Sequence, residues 1–171
     1  ILAAQGANPN GSTLTAQTDH LSVSISISDA VVAPGERVSM VAVVTPRPGM
    51  HVYAPGKHDY RVVQLMIDPQ PWLRAHDTRY PQSETYHFKP LDERVAVYSK
   101  PFRLSRDVTT LATPDAQRTL ATMPTVTIAG ALDYQACDDK LCYNPVSLPL
   151  SWKVALRESV PGAQPPRPTT R

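Results

Sequence analysis

Between Leu21 and Ser28 apolar and serine positions alternate without a break. Leu21, Val23, Ile25 and Ile27 fall on one side, and Ser22, Ser24, Ser26 and Ser28 on the other. Successive side chains of a strand point to opposite faces, so the pattern predicts a strand with one face on a core and one in water. After the Pro34-Gly35 turn a second strand is expected over Arg37 to Val44. Thr45-Pro46-Arg47-Pro48-Gly49 then turns the chain into His51-Val52-Tyr53, and Tyr60 to Ile67 reads as a further strand. Asp68 to Pro90 carries four prolines and mixed polarity, which predicts mostly loop with one short extended piece. A loop of that length in a compact domain points to function. Arg94 to Tyr98 and Pro101 to Leu104, interrupted near Lys100, and then Thr125 to Gln135 and Val146 to Leu156 complete the set. About seven to nine short strands with turn signals between them predict an all-β fold, an antiparallel β-sandwich of immunoglobulin type. The Cys…Trp…Cys spacing of true immunoglobulin domains is absent, so the expectation concerns architecture alone.

The ends read differently. Ile1 to Thr18 is rich in Ala, Asn, Gly, Ser, Thr and Gln without periodicity, and the tail carries Pro161, Pro165, Pro166 and Pro168. The expected organisation is a flexible segment over 1–18, one domain over 19–157, and a Pro-rich linker or tail over 158–171, suited to tethering another domain or a membrane segment. The start at Ile1, without an initiating Met, suggests an excised or processed segment.

Composition narrows the class further. The 171 residues are 42% hydrophobic, and 17 Lys and Arg stand against 15 Asp and Glu, a net charge of +2. With no basic run, the counterion release that drives nucleic-acid binding has little to act on, and no nucleic-acid partner is expected. The 18 prolines, roughly twice the usual frequency, argue against a helical bundle. With 7 glycines and no phosphate-binding fingerprint, nucleotide chemistry has no support.

The candidate chemistry lies in Cys137 and Cys142, the two cysteines of the chain. A disulfide closing so short a loop restricts the unfolded chain by only about 2 kcal/mol in the chain-entropy model. A sandwich of this size does not need such a staple. A dithiol at this spacing can instead cycle: one thiolate attacks a partner's disulfide and the other resolves the mixed species. The spacing is not the C-x-x-C of a thioredoxin helix. Redox exchange, a structural disulfide and metal binding all remain open on spacing alone, in that order of preference. Asp138 and Asp139 disfavour a thiolate and Lys140 favours one, so neither thiol is plainly activated.

Other candidates are weaker. His20, His51, His58, His76 and His87 are scattered with no zinc spacing, and all but His51 read as surface or loop residues. Met40, Met50, Met66 and Met123 could join the thiols around Cu(I) but read better as core. Trp72 and Trp152 read as core or sheet-packing residues. Asp92 and Glu93, adjacent in an expected strand, would point to opposite faces and so do not form a hydrolase pair. No metal and no cofactor are expected.

Tyr134-Gln135-Ala136-Cys137, then Cys142 with Pro145 close behind, resembles the active-site hairpin of the N-terminal periplasmic domain of DsbD-type transmembrane thiol:disulfide interchange proteins. Pro48 to Gly56 and Leu91-Asp92-Glu93 leading to Val97-Tyr98 are similar to two further segments of that family, and the likeness spans about residues 20 to 155. The resemblance implies a periplasmic, immunoglobulin-like thiol-disulfide oxidoreductase. It would relay electrons from membrane-embedded and thioredoxin-like domains of a parent protein to periplasmic thiol oxidoreductases through transient mixed disulfides. It also implies residue roles. Cys142 would form the mixed disulfide and Cys137 would resolve it. His51 and Tyr53 would line the cysteines, with Leu141 and Tyr143 flanking Cys142. Phe88, or else Tyr86 or Leu91, would cover the disulfide, and Asp92 and Glu93 would fix that cap loop by hydrogen bonds. Two departures stand out: some family members have five residues between the cysteines, and His51 stands where others carry a tyrosine. The physical alternative is a binding or adaptor sandwich whose disulfide is structural.

Overall fold

In the computed structural model of the chain, residues 14–157 are described. The linker expectations over 1–13 and 158–171 lie outside them. The alternating segment forms β2 (Leu21–Ile27), with Leu21, Val23 and Ile25 buried and the serines between them partly exposed. It pairs antiparallel with β1 (Leu14–Gln17) on one side and β4 (Arg37–Pro46) on the other. β4 pairs with β10 (Phe102–Thr110), and β10 with β7 (Leu73–Arg79), which completes a five-stranded sheet. A second sheet runs in the order β3 (Val31–Val32), β13 (Val146–Leu156), β11 (Thr125–Tyr134), β6 (Gln64–Ile67), with only the short β3–β13 pairing parallel. The inward sides of both sheets meet in one core, where Ile25, Met40 and Leu104 of the first face Leu65, Ile128 and Trp152 of the second. Trp152 is fully buried and its indole N–H donates to the Ser26 carbonyl oxygen at 3.1 Å, a polar tie between the sheets. This is the two-layer solution that alternating strands reach when each has one apolar face. The fold is an immunoglobulin-like all-β sandwich.

Gly130, in the middle of β11 opposite Ile67, is required by close approach. A Cβ there would lie 2.1 Å from the carbonyl oxygen of Met66, so β6 would have to move. Gly130→Ala is expected to destabilise the domain by about 2 kcal/mol, in the range of overpacked sites. Urea unfolding measures it directly, and parental stability in the variant would show that β6 yields freely.

A third sheet, in the order β12 (Ala136–Cys137), β5 (His51–Tyr53), β9 (Glu93–Tyr98), β8 (Glu84–Phe88), is antiparallel throughout and carries its own small cluster of Tyr53, Val95, Val97 and Cys137. A single turn of 3-10 helix, Lys89–Leu91, joins β8 to β9.

Several expectations need correction. Thirteen strands are present among the described residues, against seven to nine. The stretch from Asp68 to Pro90 is not mostly loop, since it contains β7 and β8, and β10 runs to Thr110 rather than Leu104. β7 and β8 are edge strands with few buried side chains, so the contrast of buried and exposed positions that marks a strand is weak, in β8 only half-buried against exposed, and edges also tolerate nearby prolines. β1 takes in four residues of the segment expected to be a linker. A helix, α1 (Pro114–Ala121), went unforeseen. Thr113 caps it, its hydroxyl accepting the Ala116 N–H, with Pro114 at the first turn and Ala116 and Leu120 buried. Of the methionines only Met40 is core; Met50 is half-buried, while Met66 and Met123 are exposed. Both tryptophans are buried.

Far from the cysteines, Asp107 on β10 is 7% exposed and receives Arg79, the Ser39 hydroxyl and Arg37. The Arg79 guanidinium, helped by Ser39 and Arg37, holds its carboxyl well below the usual carboxylate range. That cluster stitches β4, β10 and β7 together on the outside of the first sheet.

Candidate functional site

The cysteines sit where the third sheet meets a tight hairpin. In the β12–β5 pairing Ala136 lies opposite Val52 and Cys137 opposite His51. Beyond Cys137 the chain turns through Asp138 to Leu141, because the Asp138 carboxylate folds back on its own backbone, as Asp does in turns. Its Oδ1 accepts the N–H of Lys140 at 2.7 Å and of Leu141 at 2.8 Å. The Tyr143 hydroxyl donates to Oδ2 at 2.9 Å. The backbone N–H groups of Leu141 and Lys140, then Tyr143, keep the Asp138 carboxyl below its ordinary range. Tyr143 N–H to the Ala136 carbonyl, 2.9 Å, closes the hairpin. Cys142 is thereby returned opposite Cys137 and bonded to it as a disulfide, with the Cα atoms 4.0 Å apart.

The two sulfur-bearing residues differ sharply in access. Cys137 is 1% exposed, whereas Cys142 is exposed, next to Leu141 at 52%. Only one end of the disulfide is open to an incoming thiolate.

Tyr53 lies two residues beyond His51 on β5 and therefore on the same face. Its oxygen is 3.4 Å from Cys137 Sγ and 3.5 Å from Cys142 Sγ. Disulfide sulfurs carry no hydrogen, so the phenol is the donor. The Tyr53 ring is buried and stacks on Tyr60, centroids 4.3 Å apart and nearly parallel, and the Tyr60 hydroxyl donates to Glu93 Oε2 at 2.6 Å. Burial first, then the neighbouring Tyr60, Glu93 and Tyr86, push the Tyr53 hydroxyl up to about 12. It stays protonated, and a donor, across the physiological range. The hydrogen bond to Glu93 raises Tyr60 likewise.

His51 is 6% exposed, with its ring 4.5 Å from that of Tyr86 and edge-on to Tyr53 at 5.8 Å. Burial lowers its pKa from the ordinary histidine value, against a smaller upward pull from Asp138.

These groups enclose a cavity of about 170 Å³. Of the residues expected at the site, Cys137, Cys142, His51, Tyr53, Phe88, Glu93 and Leu141 line it. Tyr86 lines it as well, but Leu91 is 69% exposed and does not. Cys142 remains exposed beside Phe88 and Tyr86, so the cavity wall screens Cys137 more than its partner. Asp92 and Tyr143 do not line it. Asp92 is not in the strand with Glu93; it ends the 3-10 turn in the left-handed region at φ 49°, and its Oδ1 lies 2.7 Å from His87 Nε2. Aspartate tolerates that conformation better than most residues. Sequence reasoning missed Tyr60 and Val95 as lining residues and weighed Asp138 and Lys140 only as local charge, although all four line the cavity. The adjacency of Asp138 and Lys140 to the cysteines was signal enough; Val95 arrives through the pairing of β9, and Tyr60 from the loop after β5 by stacking on Tyr53.

A larger groove of about 570 Å³ lies elsewhere, between Pro34, α1 and the end of β13, with Arg157 the one ionisable side chain among the described residues that line it. It offers no chemistry comparable to the sulfur site.

Comparison with known proteins gives two kinds of match. The family model described as thiol:disulfide interchange protein DsbD, N-terminal, matches residues 21–148. Among solved structures, the N-terminal periplasmic domain of ScsB from Proteus mirabilis is similar at 14% identity and TM-score 0.54. That match covers 82% of this chain, which spans 50% of that one. The Neisseria meningitidis DsbD N-terminal domain in the reduced form matches at 16% identity and TM-score 0.42, over 74% of this chain and 80% of that one. No curated protein matches.

Proposed function

Since the chain belongs to the family of DsbD N-terminal domains, we propose that it relays reducing equivalents between thioredoxin-like proteins or domains through a reversible Cys137–Cys142 disulfide. The observation that carries this reading is the asymmetric disulfide itself: one sulfur exposed at a hairpin tip, the other buried under a phenol that touches both. Cys142 is the sulfur that exchanges with partners, and Cys137 the one that resolves. The working unit is the sandwich expected over 19–157, with β1 added to it. The donor is a membrane-embedded or thioredoxin-like domain of a parent protein, the acceptors are periplasmic thiol oxidoreductases, and the compartment is the periplasm, where a disulfide persists. No helix of the described residues is long and apolar enough to cross a membrane. Phe88 and Tyr86, on the β8 side of the cavity, restrict approach to Cys137. The bonds of Asp92 to His87 and of Glu93 to Tyr60 hold the segment that carries them.

The test is reversible reduction under native conditions. Reduced thioredoxin, used as a generic dithiol donor, is expected to reduce the disulfide within minutes while near-ultraviolet circular dichroism stays native. Glutathione disulfide then restores it. A bond that yields only when the domain unfolds would make it a structural staple and the chain an adaptor module.

A further inference from the structure

Resting on that exchange reading, we propose that His51 is the group that takes up the Cys137 proton when Cys137 attacks the mixed disulfide at Cys142. Four observations converge on it. His51 is the cross-strand partner of Cys137 in the β12–β5 ladder, and such partners place their side chains on one face with Cβ atoms about 5 Å apart. It lines the cavity together with both sulfurs. It is 6% exposed, so bulk water does not readily stand in for it. Its ring is held on two sides by Tyr86 and Tyr53.

The other titratable groups around His51 suit the task less well. Tyr53, on the same strand, is a phenol pushed up to about 12 and acts as a donor. Tyr86, from β8, offers a ring face. Glu93, from β9, already accepts the Tyr60 proton. Asp138, from the hairpin, spends its carboxylate on two backbone N–H groups and Tyr143. Lys140, across the cavity, is a cation and accepts nothing. Burial keeps the imidazole neutral near pH 7, the state that can accept a proton, and Asp138 steadies the imidazolium once it forms.

The step balances as follows. Glutathione disulfide, the oxidant, has already been attacked by the Cys142 thiolate, leaving glutathione bound to Cys142 and releasing one glutathione thiolate. The Cys137 thiol passes its proton to the His51 imidazole, and its thiolate sulfur attacks Cys142 Sγ. The Cys137–Cys142 bond forms, the Cys142–glutathione bond breaks, and the second glutathione leaves as thiolate with the bonding electron pair. Two electrons have moved from the dithiol to glutathione disulfide, and His51 returns its proton to solvent.

The experiment follows the glutathione adduct by acid quench and mass spectrometry after reduced protein meets glutathione disulfide, across pH 5 to 9. His51→Gln and His51→Phe are the variants, the first preserving polarity should the second disturb packing. Resolution at pH 7 is expected to slow at least about tenfold, a floor beneath the roughly 100- to 10,000-fold typical of acid–base assistance. The acid-side inflection of the wild-type profile, where rate falls as His51 becomes protonated, should disappear. Adduct formation on a Cys137→Ser background should keep its rate. Natively folded variants that resolve with the wild-type rate and pH profile would overturn the proposal, as would equal slowing of formation and resolution. A wild-type protein that forms no adduct would instead overturn the exchange reading, before His51 is tested.

Discussion

Cys142→Ser is expected to abolish disulfide exchange, while Cys137→Ser accumulates a stable mixed disulfide with the same partner. The two substitutions are chemically identical, and their outcomes diverge because of position. Attack on a disulfide requires the thiolate to approach along the sulfur–sulfur axis from outside. Cys142 is exposed, and Cys137 at 1% is not. Without Cys142 no accessible sulfur remains, and exchange falls to the background of a thiol-free protein. Without Cys137 the first half-reaction proceeds but nothing resolves the product. Neither variant should unfold, since so short a loop contributes only about 2 kcal/mol and the main core lies in the other two sheets. Non-reducing electrophoresis reads out both results with a thioredoxin carrying one active-site cysteine, supplied as its mixed disulfide with thionitrobenzoate: the Cys142 thiolate attacks the thioredoxin sulfur, the protein–thioredoxin bond forms, and thionitrobenzoate leaves as thiolate with the electron pair of the broken bond. Trapping through Cys137 in the Cys142→Ser protein would reverse the assignment of the two sulfurs.

Much of this arrangement was legible in the chain itself, for reasons that differ from residue to residue. β2 declared itself because every second residue is buried, and β11 and β13 because long, half-buried strands carry the same rhythm. The cysteine hairpin came through the resemblance alone, although its turn is local: Asp138 needs only residues within three positions to build it. β7 and β8 were not legible, since one buries a single side chain and the other none, and the alternation in β8 is only of half-buried against exposed positions. That omission hid the strand that brings Tyr86 and Phe88 to the site, two residues named only through the resemblance. Tyr86 and Phe88 reach the cavity because β8 pairs with β9 in a register that places Tyr86 opposite Val95, a long-range fact no local pattern encodes. Asp92 was misplaced for a related reason. Its left-handed backbone ends a 3-10 turn that Pro90 and the β8–β9 pairing impose together. The helix at 114–121, by contrast, had a readable start in Thr113-Pro114-Asp115, a cap, a first-turn proline and an acid at the positive end of the dipole.

Tyr53→Phe is expected to slow exchange roughly 10- to 100-fold with little loss of stability. When a partner thiolate attacks Cys142, the electron pair of the broken bond passes to Cys137, whose surroundings admit almost no water. A charge formed there needs a donor already in place, because a buried ion left without hydrogen bonds is costly. The Tyr53 phenol lies 3.4 Å from that sulfur. Burial and the neighbouring Tyr60, Glu93 and Tyr86 raise its pKa to about 12, so it keeps a proton to share across the physiological range. Removing a hydrogen bond to a charged group costs about 1.5–3 kcal/mol, and each 1.4 kcal/mol is close to tenfold in rate. Phenylalanine keeps the stack on Tyr60 and leaves no buried donor without a partner, so urea unfolding should change little. The Cys137 pKa in the reduced variant should rise, which thiolate absorbance in a Cys142→Ser background can follow. The disulfide form has no charge at Cys137 for the phenol to stabilise, so the loss falls on the transition state and the thiolate. Stopped-flow reduction by dithiothreitol isolates that loss, and a variant within about twofold of the parent would show that the buried thiolate draws its stabilisation from elsewhere in the cavity.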